Sequence, residues 1–184
     1  MFFAPSAMGQ EQLDAQQAFE IDEERITGLD IEEHFAFIES VYTGIPPDRK
    51  KIDELIPQYL TDDFELKNLV RNNRDLRDVP QKILEDKQTF IKSTQNRDYT
   101  LLKSKLSHTI TDIKYLDDKA MAEVSFTGLF DGLIEHMWKE KGLVRSKFKS
   151  LSVCTIILKL EDNLTKRHKA DCTTDVLYSK PEKV

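Results

Sequence analysis

The sequence predicts an α+β domain in which three N-terminal helices pack across one face of a strongly curved antiparallel sheet. Two observations predict it. Large apolar residues recur at helical spacing as far as Ile91, and from Leu101 to Tyr178 the period switches to two. Helices followed by a run of long strands is the order of an α+β chain, and strands of that length need a covering layer on their apolar face.

Residues 1–28 read as an N-terminal extension in which 10–28 is a peripheral helix. Asp30 with Glu33 has the pattern of a capping box and opens the first helix. Ile31, Phe35, Ile38 and Tyr42 share its face, and Gly44 with Pro46-Pro47 stops it. A second helix over Asp48–Leu60 buries Ile52, Leu55, Ile56, Tyr59 and Leu60, and Pro57, lacking an N–H, is expected to kink or break it. Thr61–Phe64 turns into a short extended piece, Phe64–Leu69, and a polar loop, Arg71–Arg77, follows. The third helix is expected over Val79–Ile91, with Asp78 and Gln81 as a capping pair, Pro80 in its first turn, and Ile83, Leu84, Phe90 and Ile91 on one face.

In the sheet region Leu106, His108 and Ile110 alternate, and then the phase slips to Ile113 and Tyr115, which a β-bulge near Thr111-Asp112 reconciles. After a turn at Asp117–Lys119, Ala120, Ala122, Val124, Phe126, Gly128 and Phe130 mark one face of the next strand. Glu135–Gly142, with His136 and Trp138, reads as an irregular connection. Phe148–Leu160 and Leu164–Tyr178 form the last hairpin. Keeping both apolar faces intact sets Cys154, Ile156 and Leu158 across from Cys172, Ala170 and His168, and implies a three-residue loop. A slip by one residue would place Leu158 against Arg167 and spoil the face. In this register an oxidising compartment closes a Cys154–Cys172 disulfide, whereas a reducing one leaves two small buried thiols.

This order of elements resembles the nuclear transport factor 2-like superfamily, which includes ketosteroid isomerases and SnoaL-like cyclases. The resemblance covers Leu29–Ser179. It is carried by the opening helices, by Tyr59-Leu60-Thr61-Asp62-Asp63-Phe64, by the third helix and by the strand–turn–strand Ile113–Ala122. It implies a cone-shaped pocket between sheet and helices and a homodimer through the outer sheet face. It makes 29–179 one domain, 1–28 an extension and 180–184 a tail. None of the matching segments is a catalytic signature.

Composition excludes several classes. The formal charge is −6, and residues 10–63 hold 15 Asp/Glu against 4 Lys/Arg, which argues against nucleic acid as a partner. The basic clusters Lys139–Lys149 and Lys166–Lys169 fall at opposite ends of the last hairpin and form no single patch. No apolar run reaches the ~18 residues of a membrane span. No cofactor motif, nucleophile–base pair or metal-ligand spacing is present, so neither cofactor nor metal is expected. Met1–Gly9 resembles the tail of a secretory signal, with small residues placed for cleavage before Gln10. The chain is then periplasmic or secreted if that reading holds, and cytoplasmic otherwise.

The candidate pocket residues are Tyr42, His108, Phe126, Phe130, Trp138 and Tyr178. His108 falls opposite Gly128, which leaves room beside the imidazole. Asp63, His108 and Asp112 are the titratable candidates for acid–base work: Asp63 by its position after the second helix, Asp112 by its place at the bulge. The expected role is that of a small apolar ligand-binding protein, non-catalytic or of unknown activity. The alternatives are an isomerase or dehydratase using a pocket Asp and His, and an interaction module whose acidic helices meet a basic partner.

Overall fold

A computed structural model describes residues 25–73, 79–116, 120–139 and 141–184. The expectations for the signal-like segment and most of the peripheral helix, for the Asp117–Lys119 turn, and for Asp78 as a cap fall outside the described residues. Helix α1, Gly28–Tyr42, starts three residues before the expected capping box. Its N-cap is Thr27, whose hydroxyl accepts from the Asp30 N–H at 3.3 Å while the Asp30 carboxylate accepts from the Thr27 N–H at 2.7 Å. Helix α2 is Arg49–Leu55, capped by Asp48. The expected break at Pro57 is there, with the chain tightening into a 3-10 turn over Ile56–Tyr59.

The helices do not all precede the sheet. Strand β1 runs Leu60–Asn72, twice as long as expected, and Gln81–Asp86 is strand β2 rather than the start of a helix. Helix α3 begins only at Lys87 and ends at Gln95, with Asp86 as its N-cap accepting from the Thr89 N–H at 2.7 Å. The physical reason lies in β1: Glu65–Val70 offers an open sheet edge, and Gln81–Asp86 pairs with it. Leu84 consequently points outward and is 59% exposed. The remaining strands are β3 (Tyr99–Tyr115), β4 (Met121–Trp138), β5 (Gly142–Glu161), β6 (Leu164–Tyr178) and β7 (Glu182–Lys183). Glu135–Trp138 is thus strand rather than an irregular connection, because Ile134 and His136 continue the alternation opposite Ser146 and Val144.

The sheet is mixed, not antiparallel. Its order is β2-β1-β6-β5-β4-β3, with β7 adding to β5, and β1 lies parallel to β6 while every other pairing is antiparallel. The bulge expected in β3 falls at Thr111, and His108 pairs with Gly128. The last hairpin departs from expectation in one informative way. Cys154 opposes Cys172 and Ile156 opposes Ala170, but a bulge at His168 then shifts the pairing so that Leu158 faces Arg167. The connection is a two-residue turn, Asp162-Asn163, with φ of 55° and 58° at the two positions, the left-handed geometry that suits a tight hairpin. Bulges re-aim side chains, and this one turns Arg167 and Thr165 onto the concave face and His168 outward.

On that concave face Val144, Ser146, Phe148, Ser150, Cys154, Ile156 and Leu158 of β5 are buried in one alternating row, with Ser152 between them half-buried. Helix α1 covers it with Ile31, Phe35, Ile38 and Val41, and one cluster joins Ile31 and Phe35 to Phe64, Val124, Phe126, Ile156 and Leu158. A second cluster ties Ile38 and Val41 to Ile52 and Ile56 of the α2 segment. Burying each such side chain is worth about 1.5–3 kcal/mol, so α1 is held by its stripe and not by its caps.

Candidate functional site

Between α1, the 3-10 turn, α3 and the middle of the sheet lies a cavity of about 90 Å³. Its wall is apolar: Ile38 and Tyr42 from α1, Ile56 and Tyr59 from the turn, Phe64 from β1, Phe90 from α3, Phe126 from β4 and Ile156 from β5. Cys154 and Cys172, joined as a disulfide across β5 and β6, complete one side. Among the described residues a single charged side chain, that of Arg167, belongs to this lining.

Arg167 is half-buried as a residue, but its Nη2 is sealed from solvent and has no hydrogen-bond partner. Its Nε–H donates to His34 Nε2 at 3.1 Å. Among the described residues no carboxylate forms an ion pair with it. Burial pulls the guanidinium down to about 10, and the opposing influence is the Tyr42 hydroxyl rather than an acid. The group therefore stays cationic at neutral pH.

His34 sits in the buried stripe of α1, 3% exposed. Its Nδ1 lies 2.8 Å from the Thr165 carbonyl, an atom that only accepts, so Nδ1 carries the proton and Nε2 is left bare to accept from Arg167. Burial first and the Arg167 charge second lower its pKa to about 3. A neutral imidazole thus steers the guanidinium without neutralising it.

A second polar pair lies one ring away. His108 on β3 donates its backbone N–H and its Nδ1–H to the same Glu39 oxygen, the latter at 3.0 Å. The imidazole packs edge-on against Phe35 and Phe126, with centroids 4.9 and 5.2 Å away. Burial and the Arg167 charge push its pKa down, and Glu39 opposes them. Its bare Nε2 faces Gly128, where an added Cβ would sit 3.9 Å from it. Phe126 stands between this pair and the cavity.

The structure brings some predicted residues together and scatters others. Tyr42 and Phe126 line the cavity, and His108 backs Phe126. Phe130 and Tyr178 line a separate hollow of about 140 Å³ farther along the concave face, with Tyr99, Ile134, Phe148 and Val176. Trp138 is at the end of β4, its ring 6.1 Å from that of His136. Asp112 is exposed. Asp63 is exposed too, 3.1 Å from His168 Nδ1, and the Thr61 hydroxyl followed by His168 holds its carboxyl below the usual range. Among the described residues there is no cluster of three or more His, Cys, Asp or Glu that could hold a metal ion, and no helix long and apolar enough to cross a membrane. Arg167, His34 and Glu39 were not among the predicted residues. His34 was detectable, since it falls within the Ile31–Ile38 stripe.

No protein-family model and no curated protein matches the chain. Solved structures do. A type 2 hexachlorocyclohexane dehydrochlorinase superposes with a TM-score of 0.50 at 13% identity, over 85% of this chain and 93% of that one. A nuclear transport factor 2-like protein of unknown function from Prochlorococcus marinus gives 0.46 at 14% identity, over 86% and 97%. Another such protein, from Cytophaga hutchinsonii, gives 0.43 at 18%, over 80% and 98%. The first of these, at a TM-score of 0.50, shows a shared fold and nothing about a shared role.

Proposed function

We propose that the chain is a small-molecule-binding protein whose ligand occupies the cavity between α1 and the concave face of the sheet. The observation that carries this reading is the wall: apolar side chains from seven elements, Ala170 of β6 among them, converge on one space, with a few polar groups at its edge, which is the composition of a ligand site. The core around it is otherwise closely packed, with Ile31, Val124 and Leu158 at 0% exposure. A protein interior of native packing density keeps few voids larger than a water molecule. The test is a thermal-shift and amide-NMR screen of the chain against hexanol, benzyl alcohol, hexanoate and benzoate, with Ala170→Leu as the cavity-filling control. Shifts at Phe126 and Ile156 that Ala170→Leu abolishes support the reading. An unresponsive wild type, or equal binding by Ala170→Leu, overturns it.

A second reading, a proton-transfer enzyme of the isomerase or dehydratase kind, is favoured by Glu39 and His108. A carboxylate fixing Nδ1 and a bare Nε2 held neutral by burial is the arrangement a general base needs. It requires Phe126 to swing aside for substrate. Loss of turnover in His108→Gln with ligand binding retained would select this reading over binding alone.

The outer face of the sheet carries Leu129, Leu151, Val153 and Leu177, each 41–61% exposed, and Leu129 and Leu151 are directly opposed on neighbouring strands. Such a patch suits a homodimer, in which a second copy covers it.

A further inference from the structure

We infer that the cavity ligand is a small monocarboxylate, its carboxylate bound by the Arg167 guanidinium and its short hydrocarbon body lying against the aromatic wall. The inference rests on the cavity being a ligand site and adds the chemistry of what enters it.

Arginine is seldom enclosed without an acidic partner, because a buried charge left uncompensated costs several kcal/mol. Here the sealed Nη2 has no partner, and the one fixed contact, His34 Nε2, is neutral and occupies only the Nε–H. That contact has a geometric consequence. With Nε engaged at 3.1 Å on one side, the guanidinium plane is set and Nη2 is left without a partner. A guanidinium N–H held in this way matches a carboxylate oxygen, which accepts a charge-assisted hydrogen bond.

The bulge at His168 supports the same conclusion. In the unbulged register Arg167 would project into solvent at no cost, and the turned-out position would be taken by the cation instead of His168. The fold instead places Arg167 in one lining with the apolar side chains of Phe64, Phe90, Phe126 and Ile156. The missing negative charge is supplied by the occupant. That wall also decides which anion. Inorganic phosphate or sulfate would lose its hydration to aromatic carbon on every side but one, whereas a carboxylate with a hydrocarbon body places carbon against carbon. A volume near 90 Å³ restricts the body to a short chain or a single ring.

The experiment is calorimetric and NMR titration of the full chain with butanoate, hexanoate and benzoate, with the matched alcohols butanol, hexanol and benzyl alcohol, and with inorganic phosphate. Arg167→Met and Arg167→Lys are titrated alongside. The expected result is that wild type binds the acids at least about 30-fold more tightly than the alcohols. Arg167→Met removes that preference while keeping the alcohols, and Arg167→Lys retains only part of it. The acid–alcohol comparison on wild type needs no variant to fold. Equal affinity for acid and alcohol overturns the inference and leaves the ligand site standing, as does undiminished acid binding by Arg167→Met. Phosphate binding as tight as hexanoate overturns it too, by making the site one for bare anions. Binding of neither class overturns both this inference and the reading beneath it.

Discussion

Acid should unfold this protein through His34 in a way that can be measured. Its pKa is lowered from 6.5 to about 3 by burial and by Arg167. Below pH 6.5 the unfolded chain takes up a proton that the folded chain refuses, so stability is fully present above that pH and is lost as pH falls toward 3. Between about pH 7.5 and about pH 5 this one residue accounts for a loss of about 2 kcal/mol, at 1.36 kcal/mol per unit. His34 is 3% exposed, so little of that is screened. Protonation would also break a specific contact, since an imidazolium cannot accept from the Arg167 Nε–H and would set two cations 3.1 Å apart. The assay is urea unfolding of wild type and His34→Gln at several pH values. The glutamine keeps an acceptor for Arg167 but does not titrate. Wild type should be the more stable at neutral pH, and the gap should narrow by about 2 kcal/mol on going to pH 5. Parallel curves would show that His34 titrates normally and would refute the buried neutral imidazole.

Gly132→Ala should be severe, since its Cβ would fall 2.2 Å from the Lys103 carbonyl oxygen and 2.9 Å from Phe148, whereas Gly128→Ala meets the His108 ring at 3.4 Å and the Phe126 ring at 3.6 Å, ordinary contact distances. Thermal denaturation should show a loss of about 3 kcal/mol or more for the first and about 1 kcal/mol or less for the second. Leu151→Lys on the outer face should leave the melting point of a monomer unchanged but shift the molecular mass by light scattering from dimer to monomer; an unchanged mass would remove that face from any interface. Replacing Cys154 and Cys172 together with Ala should cost about 3 kcal/mol in urea unfolding, because the disulfide closes a loop of sequence separation 18.

Much of the fold was legible because periodicity is a signal carried by many residues at once. The stripe of α1, the alternation along β3 to β6, the bulge at Thr111 and the His108–Gly128 pairing all follow from repeated apolar spacing. The failures are places where a single neighbour decides. Gln81–Asp86 has an apolar pair that suits a helix, but the free edge of β1 captures it as a strand. Parallel pairing of β1 with β6 joins segments far apart in sequence and leaves no local mark. At the site, Tyr42 and Phe126 were readable as inward-facing aromatics, and His34 was readable from its place in a buried stripe. Arg167 was not, because pattern matching treats a charge on an apolar face as an error of register. The rule that rejected the pairing of Leu158 with Arg167 is sound for a core and inverted for a ligand site.

The bulge at His168 has a consequence for how this cavity changes over time. The turn at Asp162-Asn163 sets Glu161 beside Leu164, and the disulfide sets Cys154 beside Cys172. Between those two anchors one arm is a residue longer than the other, and the surplus has to be absorbed somewhere. The character of the interior is therefore governed by parity rather than by identity. Losing His168 itself would remove the bulge and keep the arginine inside, whereas losing Lys166 would even the arms, rotate the arginine to the outside and bring His168 in across from Leu158. Gaining one in the shorter arm would do the same. A change of length in this hairpin can therefore exchange arginine for histidine inside without substituting either.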